Sequence, residues 1–504
     1  MPTDWGKSCP RILILGAGCT GLGAAYRLHE LGYTNFQVLE QNSYPGGLAA
    51  SFVDDRGFTW DLGGHVQFSH YKYFDQLMDR ALGAAWLHHL RQSYIWIRGK
   101  FVPYPFQNNL RHLPPEDLAR CLKGLIRARD NGHTPPANFH DWIVQSFGDG
   151  IADLFLLPYN VKVWAHPLEM MSYRWVGERV ATVDLERVIE NVIIGRDDPG
   201  WGPNNTFRFP ESGGTGAIWK AVAGLIPERH FAYSTPICHV EPARHRIRTG
   251  DGTELPYDIL ISTLPLDVLS GIIGADELKV HTDHLKYSTT HVVGIGLTGQ
   301  APPELASKNW MYFPEGDCPF YRVTVLSNYS PKNVPDSSRC WSLMAEVAES
   351  RYKLVNRDTV IRDVIRGLKA TRLIRSEEEV ASIWHRRLER GYPIPTCDRD
   401  EHIGALSSEL EKHSIYSRGR FGAWKYEVAN QDHTCMQGVE FVNRLLFDVP
   451  EMTLTYPSVV NQTGMRKSAP RPPGPASPTA PATSCEGNPD SSLRRQARAG
   501  ETPP

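Results

Sequence analysis

Apolar residues along this chain fall into three kinds of stretch: short continuous runs, period-two alternation, and three-to-four spacing. Ile12 to Leu15 is a continuous run, β-branched and leucine-rich, which predicts a buried parallel strand. An alanine-rich helical run follows to Leu28, and Phe36 to Leu39 predicts a second strand closed by Glu40. Residues 88 to 107 alternate as strands, over SYIWI and FVPYPFQNN with a turn at Gly99; Pro103 and Pro105 break the second. From 114 to 185 the pattern is helical, with Leu118, Cys121, Leu122 and Leu125 at three-to-four spacing. Short strands and a hairpin turn at Asp251-Gly252 precede Ile259 to Thr263, a parallel-type strand returning to the first sheet. Residues 287 to 350 predict an antiparallel sheet and 357 to 382 a helix; GYPIP at 391 to 395 predicts a proline-stiffened turn. The stretch 419 to 446 ends in a helix. Between 465 and 504 nine of forty residues are proline and large apolar residues nearly vanish, so this part is expected to be a disordered tail.

The turns between these elements carry the chemistry. Gly16, Gly18 and Gly21 form G-x-G-x-x-G between the first strand and its helix. The first glycine permits the tight turn, the second lets a pyrophosphate approach, and the third lets helix and strand pack closely. The helix N-terminus then offers unpaired N–H groups to phosphate. Glu40 stands where an acidic residue should hold a ribose hydroxyl. A second glycine pair, Gly46-Gly47, follows, and a third, Gly63-Gly64, sits immediately before His65. Three such turns within 65 residues argue for an extended ligand lying against backbone, with His65 beside it. His65 and His70 are five apart with no third ligand near, so a metal site there is rejected.

Composition narrows the class. The formal net charge of -2 lacks the concentrated basic excess of a nucleic-acid binder. Nine scattered cysteines, never spaced C-x-x-C, argue against disulfides or zinc and for a reducing compartment. No signal pattern precedes the first strand, and the first apolar stretch is too short to span a bilayer, so a cytoplasmic protein with no membrane partner is expected. Several side chains remain open between a site and a bland role. Tyr104 and Gln107 sit where a strand becomes a loop. Asn160 and Trp164 lie in a broken helix, where core packing explains Trp164 equally well. Arg179 and Arg420 read equally as solvated charges. Trp310 and Tyr312 share a strand face, Arg322 follows the PEGDCP turn, and Tyr392 lies on the GYPIP turn. Val240 falls where a backbone group could hold an adenine; Tyr426, Asn430 and Gln431 precede the last helix.

Taken together, GAGCTGLGAA, PGGLA, GGHVQFSHYKYFD, VPYPFQNN, PYNVKVWA, GERVA, GWGPNNTFRFP, PFYR, GYPIP and GRFGAWKYEVANQDH resemble the eukaryotic UDP-galactopyranose mutases, from about Arg11 to Pro457. The chain departs from that pattern at Cys19 and Ala429, where the family carries proline and glycine. The resemblance implies FAD held by Gly16, Gly18, Gly21, Glu40, Gly46, Gly47, Leu48, Gly63, Gly64, His65, Val240, Asn430 and Gln431. It implies Arg179 and Arg322 clamping the UDP pyrophosphate, with Tyr312, Tyr392 and Tyr426 as further donors. Tyr104, Gln107, Phe155, Asn160 and Trp164 would hold uridine, with Trp310 beside them. Asn204 and Arg420 would lie near sugar and flavin, and Arg91 and Ser93 would help NADPH bind as reductant.

The implied reaction interconverts UDP-galactopyranose and UDP-galactofuranose, with N5 of reduced FAD as nucleophile on the anomeric carbon and no net redox change. The expected fold class is α/β. It has a discontinuous FAD-binding Rossmann-like domain (8–90 with 214–272 and 415–464), an inserted helical substrate-binding domain (106–200) and an antiparallel sheet domain (91–105 with 201–213 and 273–414). Homo-oligomer formation is left open. Two competing readings share the Rossmann half. One is an amine-oxidase or desaturase-type flavoenzyme, which has no need of the arginine and tyrosine set; the other is a nucleotide-binding protein without catalysis.

Overall fold

The computed structural model describes residues 9–130, 134–199, 202 and 205–462, at Glu178 the backbone alone; the expected tail at 465–504 lies outside them. A five-stranded parallel sheet carries the N-terminal run. Its order is Ile415–Ser417, Ile259–Ser262, Ile12–Leu15, Phe36–Leu39, Phe231–Ala232. Ile12–Leu15 is central, and all four of its side chains are fully buried, which is why the run is continuous rather than alternating. The helices Cys19–Glu30 and Gln431–Phe447 pack together beside this sheet. They cross at small residues: a Cβ on Gly23 would stand 3.1 Å from Cys435 Sγ.

A second sheet of seven strands runs in the order Val380–Ile394, Lys286–Thr298, Cys340–Glu349, Arg322–Val325, Trp310–Tyr312, Ser93–Ile97, Lys100–Pro103. Every neighbour pair is antiparallel except Trp310–Tyr312 with Ser93–Ile97, which is parallel. Above it lies a helical body of Pro115–Asp130, Phe139–Ile151, a π turn at Ala152–Leu156, Leu157–Trp164 and Leu185–Ile194. Phe106, Phe139, Phe147 and Phe155 fill its core.

Two expectations are corrected here. The helical pattern at 114 to 185 ends at Trp164; residues 165 to 184 hold only short 3-10 turns, and Arg179 closes one of them, Gly177–Arg179. The helix expected over 357 to 382 is Val360–Ala370 only. Beyond it a strand of 15 residues, Val380–Ile394, absorbs both the end of that stretch and the GYPIP turn. Tyr392 therefore stands on a strand, opposite Ser288, not on a turn. Among the described residues no helix is long and apolar enough to cross a membrane.

One buried acid sets a pH dependence. Glu440, in the helix Gln431–Phe447, accepts from the Thr453 backbone N–H (2.8 Å) and hydroxyl (2.9 Å). Burial, only partly offset by these bonds, raises its pKa from 4.5 to about 7. A carboxyl raised on folding costs stability once it deprotonates. The cost is absent below pH 4.5 and complete above about 7, so stability falls as pH rises through that window. Glu440→Gln should flatten this part of the profile. Equal differences in melting temperature between pH 5 and pH 8 for variant and parent would refute it.

Candidate active site

The glycine turn sits at the C-terminal edge of the parallel sheet, where strand order reverses. Gly16 (φ +101) donates its N–H to Leu39 O at 2.8 Å, and Thr263 donates to Leu15 O at 2.9 Å. Gly18 pairs with Gly46 in an isolated parallel bridge, and Gly46 (φ +112) donates to Ala17 O at 2.8 Å. A Cβ on Gly18 would meet nothing closer than Gly47 Cα at 4.0 Å, so the cleft between the two glycine turns is open to a ligand. The helix Cys19–Glu30 has no side-chain cap, leaving its first-turn amides for an anion.

Glu40 accepts from Ala17 N–H (2.7 Å), Asn42 N–H (2.9 Å) and Asn42 Nδ2 (2.7 Å). A carboxylate offers about four lone-pair directions, so one remains for a hydroxyl. Leu48 and Val240 close the floor against Leu13, Leu15 and Leu39. Asn430 is the N-cap residue of Gln431–Phe447 without itself capping it, and Gln431 Oε1 accepts from Trp219 Nε1 at 2.6 Å.

Facing this turn, the loop Gly63–His65 is pinned to the seven-stranded sheet: Gly64 N–H donates to Glu346 Oε1 at 2.9 Å. Gly64 must be glycine because a Cβ would stand 2.8 Å from Thr324 Oγ1 and 3.2 Å from Arg322 Cζ. Burial pushes His65 down to about 4, so its ring is neutral near pH 7; its Nδ1 is buried with no partner. Gln107 Oε1 and Ser93 Oγ are likewise buried and unpartnered. Orphaned polar atoms of this kind call for an occupant that supplies their hydrogen bonds.

Arg322 and Glu346 are direct cross-strand partners. The guanidinium donates to Glu346 from Nε (2.9 Å) and Nη2 (2.7 and 2.8 Å), and Tyr321 OH adds a fourth bond at 2.6 Å. Burial opposes the charge on Arg322, but Glu346 outweighs it and holds the arginine above its ordinary value. Arg179 is different. It reaches only Asn461 Oδ1 and Tyr426 O, both at 3.4 Å, and stacks 5.4 Å over the Tyr426 ring. Among the described residues no carboxylate lies within ion-pair distance of it, and burial lowers its pKa.

Aromatic rings join these groups into one cage. Tyr104 and Tyr312 are 5.5 Å apart, Tyr312 and Tyr159 5.3 Å, and Tyr159 and Phe155 5.4 Å. Trp164 meets Tyr426 at 4.7 Å and Tyr392 at 5.8 Å. Arg420 spans the cage floor, donating to Gly391 O (2.9 Å) and Ala429 O (3.2 Å) with its guanidinium 4.9 Å over Tyr392. Its loop is held by Gln437, which accepts from Gly419 N–H (2.6 Å) and donates to Val428 O (2.8 Å). Arg91, itself buried, lies 5.0 Å over the Tyr104 ring.

The structure thus gathers Tyr104, Phe155, Trp164, Arg179, Tyr312, Arg322, Tyr392, Arg420 and Tyr426. Some expected contact residues are turned inward. Trp310 is 5% exposed and donates to Tyr312 OH at 2.7 Å, so it orients that hydroxyl from behind. Asn160 donates to Leu156 O (2.8 Å) and accepts from Trp164 Nε1 (3.2 Å), which uses its amide to fix the indole. Gln107 donates to Ala181 O at 2.7 Å. Asn204 lies outside the described residues. Tyr159 reads from the sequence only as an aromatic of the broken helix, and Glu346 is not singled out there at all. Glu346, a lone acid in the apolar run SLMAEVA, carries a signal that the register with Arg322 would have made legible. His70 does not join His65. It meets Asp432 through its ring Nδ1 (2.7 Å) and its backbone N–H (3.0 Å), beside His433. Asp432 and His433 are 1% and 0% exposed, and the trio packs at the start of the helix Gln431–Phe447.

The profile of the flavin containing amine oxidoreductase family matches residues 19–437. A crystal structure of a reduced UDP-galactopyranose mutase superposes with a TM-score of 0.88 at 49% identity, covering 90% of this chain and 97% of that one. A protein described as a protoporphyrinogen oxidase from an Exiguobacterium species shares the fold at a TM-score of 0.67 and 18% identity, covering 87% of this chain and 99% of its own. The zeta-carotene-forming phytoene desaturase of Myxococcus xanthus is 49% identical over 53 residues, and the chain spans only 10% of that curated relative's length.

Proposed function

The chain belongs to the flavin containing amine oxidoreductase family and, within it, to the UDP-galactopyranose mutases, and from this premise we propose that it interconverts UDP-galactopyranose and UDP-galactofuranose. The observation that carries the reading is Arg179, a partly buried guanidinium with no counter-ion among the described residues, set in a cage of tyrosines. An enzyme for amines or hydrocarbons has no use for such a charge, whereas a diphosphate supplies its missing partner.

Bound FAD, once reduced, would supply the nucleophile for the anomeric carbon. The chain's own residues do the rest. Gly16, Gly18, Gly46 and Gly47 admit the pyrophosphate of the cofactor, and Glu40 holds a ribose hydroxyl with its spare lone pair. Arg179 binds the UDP diphosphate as a full charge. Arg322, already neutralised by Glu346, orients it through its remaining Nη1 and the tyrosine hydroxyls. As the sugar leaves, these donors stabilise the departing phosphate. Neutral His65, with Nδ1 unpartnered, meets the flavin edge without adding charge. Tyr104, Gln107, Phe155, Asn160 and Trp164 enclose the uridine. Arg91, 5.0 Å over the Tyr104 ring of the cage, and Ser93 would take part in NADPH binding. The three-part division of the chain and a cytoplasmic location belong to the same proposal. Free cysteines throughout the described residues support the location.

The test is a product assay under two redox states. With UDP-galactofuranose and dithionite, anaerobically, chromatography should show UDP-galactopyranose, and NADPH should replace dithionite. The oxidised protein should convert nothing, and each reduction should support many turnovers. Conversion with oxidised flavin, or one reductant consumed per product, would sink the mutase reading. Peroxide formed in step with an amine would favour the oxidase alternative.

A further inference from the structure

Away from the cleft, four ionisable side chains converge on the outer surface. His281 lies near the end of the helix Asp276–Thr282, and His284 just beyond it. Asp398 is the N-cap residue of the helix Arg399–Glu411, and His402 stands four residues on, on the same face. His284 Nδ1 is 2.9 Å from Asp398 Oδ2, and His402 Nε2 is 3.6 Å from the same oxygen. One donor atom from each of the three lies within 4.8 Å of the others. The His284 and His402 rings stack at 3.9 Å and 23°, so one ring must turn for both lone pairs to converge on a single ion.

We propose that His284, Asp398 and His402 bind a divalent late transition-metal ion of the Zn2+ class. Ligands at tetrahedral zinc–nitrogen and zinc–oxygen distances stand about 3.3 Å apart, and the observed separations fall on either side of that value. His402 Nδ1 is 3.1 Å from His281 Nδ1; with the proton of that contact on His402 Nδ1, Nε2 presents its lone pair toward Asp398. A ligating histidine holding its second nitrogen on a neighbour is the usual arrangement behind such sites. Two imidazoles and one carboxylate select against Mg2+ and Ca2+. His284 and Asp398 are exposed, so an ion can enter and a water can complete its coordination. A plain surface ion pair would need only one of the three histidines.

The bound ion would tie the 276–284 segment to the helix that leads into the strand Ile415–Ser417, far in role from the nucleotide-sugar cleft. The test uses the flavin-loaded full chain, stripped with a chelator and titrated with ZnCl2 by calorimetry and thermal unfolding. One Zn2+ per chain and a zinc-dependent rise in melting temperature are expected. The double variant His284→Ala/His402→Ala should lose both, while Mg2+ should neither bind nor compete. His281→Ala should keep the stoichiometry and weaken binding by roughly tenfold or more. No stoichiometric zinc on the parent, or equal binding by the double variant, overturns the site. Either result leaves the mutase reading untouched.

Discussion

Glu346→Ala should destabilise the protein by about 3 kcal/mol, the lower part of the range for stripping one partner from a buried ion pair. The lower part applies because the Arg322 side chain is 20% exposed and water still reaches it. Three groups lose their acceptor at once: the Arg322 guanidinium, Tyr321 OH and Gly64 N–H. The last of these releases the loop bearing His65. Replacing both charges, Arg322→Met with Glu346→Leu, should recover most of that stability, since a packed apolar pair does about as well as a buried ion pair. It should not recover nucleotide binding. With one of the two arginines gone, UDP affinity should stay roughly 10- to 100-fold weaker. Urea unfolding and UDP titration of both variants separate the roles. Parent-like UDP affinity in the double variant would remove Arg322 from the clamp, and a parent-like midpoint in Glu346→Ala would show that the pair does not hold the sheet.

Gly21→Ala should yield protein without flavin. Its Cβ would overlap the Gly16 carbonyl oxygen and stand 3.3 Å from Ile14 Cγ2. Both are fixed parts of the strand and turn, so the helix Cys19–Glu30 must shift as a body. Overpacking of this kind costs about 3 kcal/mol and moves the first-turn amides off the phosphate. Gly18→Ala provides the contrast. Its methyl meets nothing closer than Gly47 Cα at 4.0 Å, so the apoprotein should melt normally, yet the methyl fills the space the pyrophosphate needs. Flavin absorbance and melting temperature, read together, distinguish a packing failure from a blocked ligand. Full flavin content in Gly21→Ala would contradict the close approach of helix and turn.

What the sequence made legible follows from the range of the forces involved. The turn at Gly16, Gly18 and Gly21 and the acid at Glu40 are local, and their backbone demands are written in residue type. The cage is not local. Arg322 becomes a neutralised donor only because an antiparallel register sets it opposite Glu346, and no spacing along the chain encodes that register. The strand Val380–Ile394 was missed for a related reason. Its outer face is dense in charge, as in RRLERGY, because it is an edge strand covered on one side only. That density continues the polar face of the preceding helix and hides the change of period. Trp310 and Asn160 look like ligand contacts by residue type, but each places its hydrogen bond on a neighbouring side chain of the cage.

The parallel sheet has a further consequence for how the protein is made. Its central strand, Ile12–Leu15, leaves the ribosome roughly 400 residues before the edge strand Ile415–Ser417 and the helix Gln431–Phe447. At about 5–20 residues per second, that is a delay of some tens of seconds. Throughout it, the face of Cys19–Glu30 that Cys435 and Gly438 will cover stays bare, and the turn built for phosphate has no completed wall around it. This early strand and its helix are among the last parts to be enclosed, and the cofactor can be locked in place only once the C-terminal strand and helix have been synthesised.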